Sequence, residues 1–308
     1  MTMRVFIDGA AGTTGLEIVD RLAPRGEFDL IVLDDEQRKS ADARRDAFHA
    51  ADFAVLCLPD DAAREAVALA EGSKVRIIDA SSAHRVQPGW IFGFPEVIGR
   101  EKVAEAARVS NPGCYSTGFI ALIAPLIRHG LLPADWPYVC HAVSGYSGGG
   151  KALIARFEGD PDIAYRDYAL TMGHKHVPEM QQRCGLAHPP LFSPAVIPAH
   201  RGMVVEVPLH LGQMQHAAPV DGLRDCLGDF YAGSPIVTVH DDLPDELLLR
   251  SSMQPSDRLG LWVIGSKDGS QARLIAVFDN LGKGASGAAV QNLNLMAGLP
   301  EVAGLNLA

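Results

Sequence analysis

The first third of the chain repeats one pattern: a short apolar run, a polar or glycine-rich break, then a stretch with apolar positions at helical spacing. Apolar runs at residues 4–8, 30–33, 54–58 and 75–78 read as strands, and polar or alanine-rich stretches such as 61–71 read as the helices between them. This alternation predicts a parallel sheet covered on both faces, the doubly wound α/β arrangement. Beyond residue 114 the pattern changes. Runs at 138–144, 191–197, 203–211, 259–265 and 272–278 are strand-like with few helices between them, which predicts an α+β domain with a largely antiparallel sheet. Residues 283–296 return to helical periodicity. The expected division is a first domain of residues 1–114, completed by a C-terminal helix in 283–308, and a second domain of residues 115–282. No internal repeat or low-complexity tract interrupts either part.

The first break is rich in glycine: Gly9-Ala10-Ala11-Gly12-Thr13-Thr14-Gly15 follows a strand and opens a helix. Glycines there let the backbone turn tightly, approach a pyrophosphate and seat the helix on the sheet, as in Rossmann-type domains. Gly9, Ala10, Gly12, Thr13, Thr14 and Gly15 are therefore candidates for dinucleotide binding. The spacing is G-x-x-G-x-x-G rather than G-x-G-x-x-G, so a glycine turn with no ligand is the competing reading. Cys57-Leu58-Pro59 and Ser81 fall at strand ends that should border the same ligand. The second strand ends Leu33-Asp34-Asp35, and an acid at that place usually binds the ribose diol of NAD. Arg38 and Lys39 follow, and two cations beside Ser40 suit the 2′-phosphate of NADP.

Asn111-Pro112-Gly113-Cys114-Tyr115-Ser116-Thr117 places a cysteine at the entrance to the helical run Phe119-Ile120-Ala121-Leu122-Ile123-Ala124. Unpaired N–H groups and the helix dipole favour a thiolate there, and the same donors can hold an oxyanion after attack on a carbonyl. Cys114 is thus the candidate nucleophile, against the alternative of a small buried hydrophobe. Arg85 follows the fourth strand at the edge where such sheets bind ligands, and is assigned to a phosphate. The glycine-dense loop 144–151, ending in Lys151, is a candidate to close over a substrate.

Length and composition narrow the field. The chain has 308 residues, enough for two cores, and a net charge of −10 with no basic stripe, which argues against nucleic acid as partner. No apolar run has membrane length and no secretory segment opens the chain, so a cytoplasmic protein is expected. The five cysteines lack C-x-x-C spacing and fit reduced thiols better than disulfides or a zinc site.

The cysteine motif, Phe92-Gly93-Phe94-Pro95-Glu96, His174-Lys175-His176-Val177-Pro178-Glu179-Met180 and Asp279-Asn280-Leu281-Gly282-Lys283-Gly284-Ala285-Ser286-Gly287 together resemble the signatures of the N-acetyl-gamma-glutamyl-phosphate reductases of arginine biosynthesis. Chain length and Cys57-Leu58-Pro59-Asp60-Asp61-Ala62-Ala63 resemble the short form of that family. Two departures are Ser116, where many members carry proline, and the segment 79–85, which lacks the usual leucine and aspartate. The resemblance implies an acyl-phosphate substrate, NADP as cofactor, a Cys114 thioester and His176 as general acid/base, with His174 its rival in the same H-x-H segment. It also implies a substrate contact from Arg201 and places Asn280 near the nicotinamide; Asn111 is a further substrate candidate, and Glu179, three residues after His176 on the same helix face, could orient that histidine or help bind substrate. A homo-oligomer, dimer or tetramer, is expected. Neither thioester formation nor hydride transfer needs a metal, so none is assigned. The competing functions are an aspartyl-phosphate enzyme of the same group, disfavoured by Tyr115 after the cysteine, and a non-catalytic dinucleotide sensor.

Overall fold

The computed structural model describes residues 2–308, which divide into two compact units: the residues up to Gly113 with Ala285–Leu305, and Cys114–Gly284 with Asn306–Ala308. In the first unit the chain runs β1 (Met3–Asp8), α1 (Thr13–Leu22), β2 (Phe28–Ile31), α2 (Ala41–Ala50), β3 (Phe53–Leu56), α3 (Asp60–Leu69), β4 (Arg76–Asp79), β5 (Ile91–Phe92), α4 (Pro95–Ile98), α5 (Arg100–Glu105) and β6 (Arg108–Ser110). The strands form one sheet in the order β2-β1-β3-β4-β6-β5, and every joint in it is parallel.

Continuous apolar strands are needed because both faces are buried. Val5 and Ile7 of β1 with Phe53 and Val55 of β3 enter one core, which Ile18 and Leu22 of α1 share with Val290 and Leu293 of the C-terminal helix (Gly287–Met296). Phe6, Ala54 and Leu56 point the other way, against Phe48 of α2 and Ala66 of α3. The helical pattern at 283–296 begins as a wide turn at Gly282–Ser286 and becomes regular from Gly287.

The second unit contains α6 (Cys114–Arg128), β7 (Val139–Gly145), α7 (Gly150–Gly159), β8 (Arg166–Asp167), α8 (Val177–Cys184), β9 (Leu191–Ile197), β10 (Met203–Leu209), α9 (Val220–Phe230), β11 (Val237–His240), β12 (Leu259–Gly265) and β13 (Ala272–Phe278). Its sheet has the order β11-β12-β13-β10-β7-β9-β8. The central joints β12–β13, β13–β10 and β10–β7 are antiparallel, as is β9–β8, while β7–β9 and β11–β12 are parallel, so the sheet is mixed. The parallel joint β7–β9 follows from the helices α7 and α8 that intervene in the chain, since parallel neighbours need a long crossover.

Helix α6 is the core of this unit. Every residue from Tyr115 to Leu126 is buried, so the helix is apolar all round rather than striped. Gly118 lets it lie directly on the sheet: a Cβ there would sit 2.7 Å from Val205 Cβ of β10.

Candidate active site

In the first unit β1 delivers the chain into the glycine turn. Gly9 has φ +92°, and a Cβ on it would lie 2.3 Å from the Cys57 carbonyl oxygen. A Cβ on Gly15 would lie 2.4 Å from the Gly9 carbonyl oxygen, so both positions require glycine. Gly12 caps α1, and Thr13 Oγ1 at its start is buried with no hydrogen-bond partner. Beside the turn lies a cleft of about 430 Å³, lined by Gly9, Ala10, Ala11 and Leu58 on one side and Val32, Leu33, Asp34, Asp35 and Arg38 on the other.

The cleft fits a dinucleotide. The glycine backbone admits a pyrophosphate beside the α1 N-terminus, the orphaned Thr13 hydroxyl offers it a bond, and the apolar wall takes an adenosine. Arg38 Nε lies 2.9 Å from Asp35 Oδ1 in an exposed pair. Asp34 Oδ1 accepts the N–H groups of Glu36 and Gln37, so this acid also caps its own turn. Of the residues expected to bind the dinucleotide, Gly9, Ala10, Arg38 and Leu58 line the cleft, whereas Gly12, Thr13, Thr14, Gly15, Lys39, Cys57, Pro59 and Ser81 are not among the lining residues. Pro59 caps α3, and Ser81 Oγ donates to Asp79 Oδ2 at 2.7 Å. Asp79 is fully buried and also holds His84 Nδ1 at 2.6 Å, with the His84 ring stacked on Trp90 at 4.2 Å.

Two residues assigned to substrate hold the turn before Cys114. Arg85 is buried and donates to the carbonyls of Asn111 and Ala80 at 3.0 and 3.3 Å. Asn111 donates from Nδ2 to the Ala285 carbonyl and accepts Asn292 Nδ2 on Oδ1, each at 3.0 Å.

Cys114 is the first residue of α6 and is half-buried. A Cβ on Gly284 would come within 3.0 Å of Cys114 Cβ, so the Gly282-Lys283-Gly284 turn is glycine where it passes the thiol. Tyr115, the next residue, is buried and donates from its hydroxyl to the Ala195 carbonyl at 3.0 Å. Its ring lies 6.0 Å from His174 and 5.8 Å from His176, and the two imidazoles are 4.7 Å apart, so the H-x-H segment lies beside the cysteine's own helix turn. His176 is buried just before α8, and its N–H donates to His174 Nδ1 at 3.1 Å. Glu179 is buried in the first turn of α8.

Arg201 and Asn280 belong to one buried network in the second unit. Arg201 Nη1 is 2.6 Å from Asp279 Oδ2, and Asp279 also accepts the N–H groups of Leu281 and Ser256. Asn280 accepts the Gly202 N–H at 2.8 Å and donates to Ser147 Oγ at 2.9 Å, which fixes loop 144–151 against the Arg201 turn. A Cβ on Gly145 would lie 2.7 Å from the Ala199 carbonyl oxygen, and Tyr146 N donates to that same oxygen. Lys151 is exposed at the start of α7. Sequence reasoning passed over Asp279, Gly284 and Tyr168; the first two sit inside a motif already recognised, where an acid and a glycine could have been read as partners of Arg201 and Cys114. Among the described residues no group of three or more His, Cys, Asp or Glu is placed to hold a metal ion, and no helix is long and apolar enough to cross a membrane.

Two protein-family models match the chain: the semialdehyde dehydrogenase NAD binding domain over residues 4–106 and the semialdehyde dehydrogenase dimerisation domain over residues 114–280. An N-acetyl-gamma-glutamyl-phosphate reductase 2 from Nostoc is 46% identical over 98% of this chain and 99% of its own length. The N-acetyl-gamma-glutamyl-phosphate reductase of Brucella ovis is 48% identical over 97% of this chain and all of its own. Among solved structures, aspartate semialdehyde dehydrogenase II of Vibrio cholerae complexed with ASA superposes with TM-score 0.70 at 17% identity, covering 96% of this chain and 98% of that one. The aspartate semialdehyde dehydrogenase of Francisella tularensis gives the same score at 13% identity, covering 96% of this chain and all of that one. These two likenesses are of fold.

The five thiols differ in environment. Burial, reinforced by Asp79 and Asp8, pushes Cys57 up to about 12. Burial likewise pushes Cys140 and Cys184 far above the usual thiol range, and raises Cys226. A raised value means less thiolate at neutral pH, whereas Cys114 has the N-terminus of a long helix to favour the anion. Iodoacetamide at neutral pH, followed by peptide mass spectrometry, should therefore modify Cys114 before the other four. Alkylation of Cys57 or Cys226 ahead of Cys114 would contradict this ranking.

Proposed function

The chain belongs to the semialdehyde dehydrogenase family, its full-length relatives being N-acetyl-gamma-glutamyl-phosphate reductases; from that membership we propose that it reduces N-acetyl-gamma-glutamyl phosphate to N-acetylglutamate semialdehyde and phosphate, with NADPH, in arginine biosynthesis. The observation that carries the reading is Cys114 at the first residue of α6 with the His174–His176 pair packed beside Tyr115. An acyl phosphate is already activated, so one nucleophile and one proton carrier suffice.

Cys114 gives its proton to His176 and its sulfur adds to the acyl carbon. The carbon–oxygen bond to phosphate breaks and phosphate leaves with the electron pair, giving a thioester. The glycine turn and Arg38 of the first unit would hold a reduced nicotinamide cofactor, which would supply the hydride for the acyl carbon. His176 returns its proton to the resulting oxygen, making a neutral thiohemiacetal, and withdraws it again as the carbon–sulfur bond breaks. Aldehyde and thiolate are the products. First-turn N–H groups of α6 face the charge that develops on that oxygen.

The choice of His176 rests on tautomers. His174 Nδ1 accepts the His176 N–H, so it must keep its lone pair, and the neutral ring carries its proton on Nε2. Protonating Nδ1 would break that bond. His174 is thereby engaged as a cap and His176 takes the proton work. Arg201, oriented by Asp279, is the cation offered to the anionic substrate, with Glu179 orienting groups on the α8 side. Arg85 and Asn111 serve by fixing the turn that presents Cys114. Because Cys114 must stay a thiol, the reducing cytoplasm is the compartment this chemistry requires. The match to a dimerisation domain supports a homo-oligomer. Val139, His141, Leu191 and Trp262 share one sheet face by register and give it a surface for a second copy.

Phosphate-dependent reduction of NADP by N-acetylglutamate semialdehyde tests the function. His176→Asn should lower kcat by about two to four orders of magnitude with cofactor affinity unchanged, and His174→Asn by less. The reverse ranking would move the proton to His174, and absence of activity in the parent would remove the reading.

Arg38 lines the cleft whereas Lys39 does not, so we assign the 2′-phosphate contact to Arg38. A charged hydrogen bond contributes about 1.5 to 3 kcal/mol, so Arg38→Ala should weaken NADPH relative to NADH by roughly tenfold or more in fluorescence titration. Equal weakening of both cofactors would contradict the assignment.

A further inference from the structure

Between α7 and α8 the chain crosses a segment, residues 160–173, with an unusual backbone. Ala169 and Met172 both have positive φ, 57° and 65°, without being glycine. Such residues persist where their surroundings over-determine them. The apolar tips Leu170 and Met172 are exposed, so burial of those side chains does not hold the segment. Tyr168 does: its hydroxyl lies 3.4 Å from His174 Nε2, and the two rings meet edge to face at 5.6 Å.

The direction of these bonds follows from their ends. At one end the His176 N–H forces His174 to carry its proton on Nε2, which must then donate to the Tyr168 oxygen. His174 in turn meets the Tyr115 ring edge to face at 6.0 Å, and the Tyr115 hydroxyl donates to the Ala195 carbonyl of β9. The bonds therefore run one way, from the His176 N–H through His174 to Tyr168, with each step satisfied by neutral groups. Burial pushes the Tyr168 phenol up to about 12 and holds Tyr115 well above the usual phenol range, so neither ionises at neutral pH.

We propose that Tyr168 is a positioning residue of this reaction: its hydroxyl holds the His174 ring, which packs on Tyr115 in the first turn of α6 and caps His176, and so fixes the His176 base against the Cys114 nucleophile. This rests on the reductase reading above. Without the bond, His174 can rotate, the cap on His176 loosens, and the packing of His174 on Tyr115 is disturbed. No proton is carried along the chain, so the effect falls on the geometry of the reacting groups rather than on substrate affinity.

The test breaks one bond from both ends. Tyr168→Phe removes the acceptor, while His174→Asn removes the Nε2 donor but keeps an oxygen where Nδ1 stood, so the cap on His176 survives. Each single variant should lower kcat by about tenfold with KM within about twofold, and the double variant should also be about tenfold slower, because the same bond is lost once. The rate of Cys114 alkylation by iodoacetamide, which needs neither substrate nor cofactor, should fall severalfold in each variant and no further in the double. Parent reductase activity checks the underlying reading, and the alkylation series checks the bond even if that activity is absent. Circular dichroism and NADPH binding confirm that each variant is folded. A parent-like rate in Tyr168→Phe, or a double variant about a hundredfold slower, would overturn the proposal.

Discussion

Everything proposed for this protein depends on one packing constraint, the burial of α6 from Tyr115 to Leu126. A helix enclosed on all sides from Tyr115 to Leu126, with Gly118 pressed on Val205, has no free direction in which to slide. Its first residue inherits that rigidity. Cys114 therefore combines a half-exposed thiol with a fixed position and a fixed dipole, the two conditions under which a thiolate is useful as a nucleophile. Glycine at 284 is the complementary condition, since a side chain there would crowd the sulfur's own Cβ.

The polar residues around this helix follow from the same constraint. A buried polar group left unpaired costs about 1 to 3 kcal/mol, so those closest to the site are bound to one another. Asp279 gathers Arg201, Leu281 and Ser256; Asn280 joins Gly202 to Ser147; Asn111 joins Ala285 to Asn292. Residues that look like ligand contacts in a motif are here the fixtures of turns. Arg201 illustrates the link to function, because a guanidinium already oriented by a buried carboxylate needs little further ordering to meet an anion.

What the sequence disclosed tracks the strength of its periodic signal. β9, β12 and β13 appear with the bounds expected, because seven alternating or continuous apolar residues carry enough pattern. The run expected to end at 211 stops at Leu209, where a 3₁₀ turn takes over at Leu211, and the run to 58 stops at Leu56. β5 and β8 have two residues each and leave no period to read. The glycine turn was legible because the glycines themselves mark it: Gly15 meets the Gly9 carbonyl within the same turn, while the approach of Gly9 to the Cys57 carbonyl is a tertiary contact. The bond between Tyr168 and His174, and the meeting of Tyr115 with β9, depend on tertiary packing that no local spacing encodes. The choice between His174 and His176 was open in sequence for the same reason. The proposal for His176 draws on which ring accepts a backbone N–H, a contact that appears only in the fold.

The central claim is that Cys114 becomes acylated. Mixing the protein with N-acetyl-gamma-glutamyl phosphate in the absence of reduced nicotinamide, and digesting it for mass spectrometry, tests that claim directly. The account predicts a single N-acetylglutamyl group on the Cys114 peptide, removed by hydroxylamine as a thioester is, and absent from Cys114→Ser. An unmodified Cys114 peptide, or the acyl group on another residue, would contradict it.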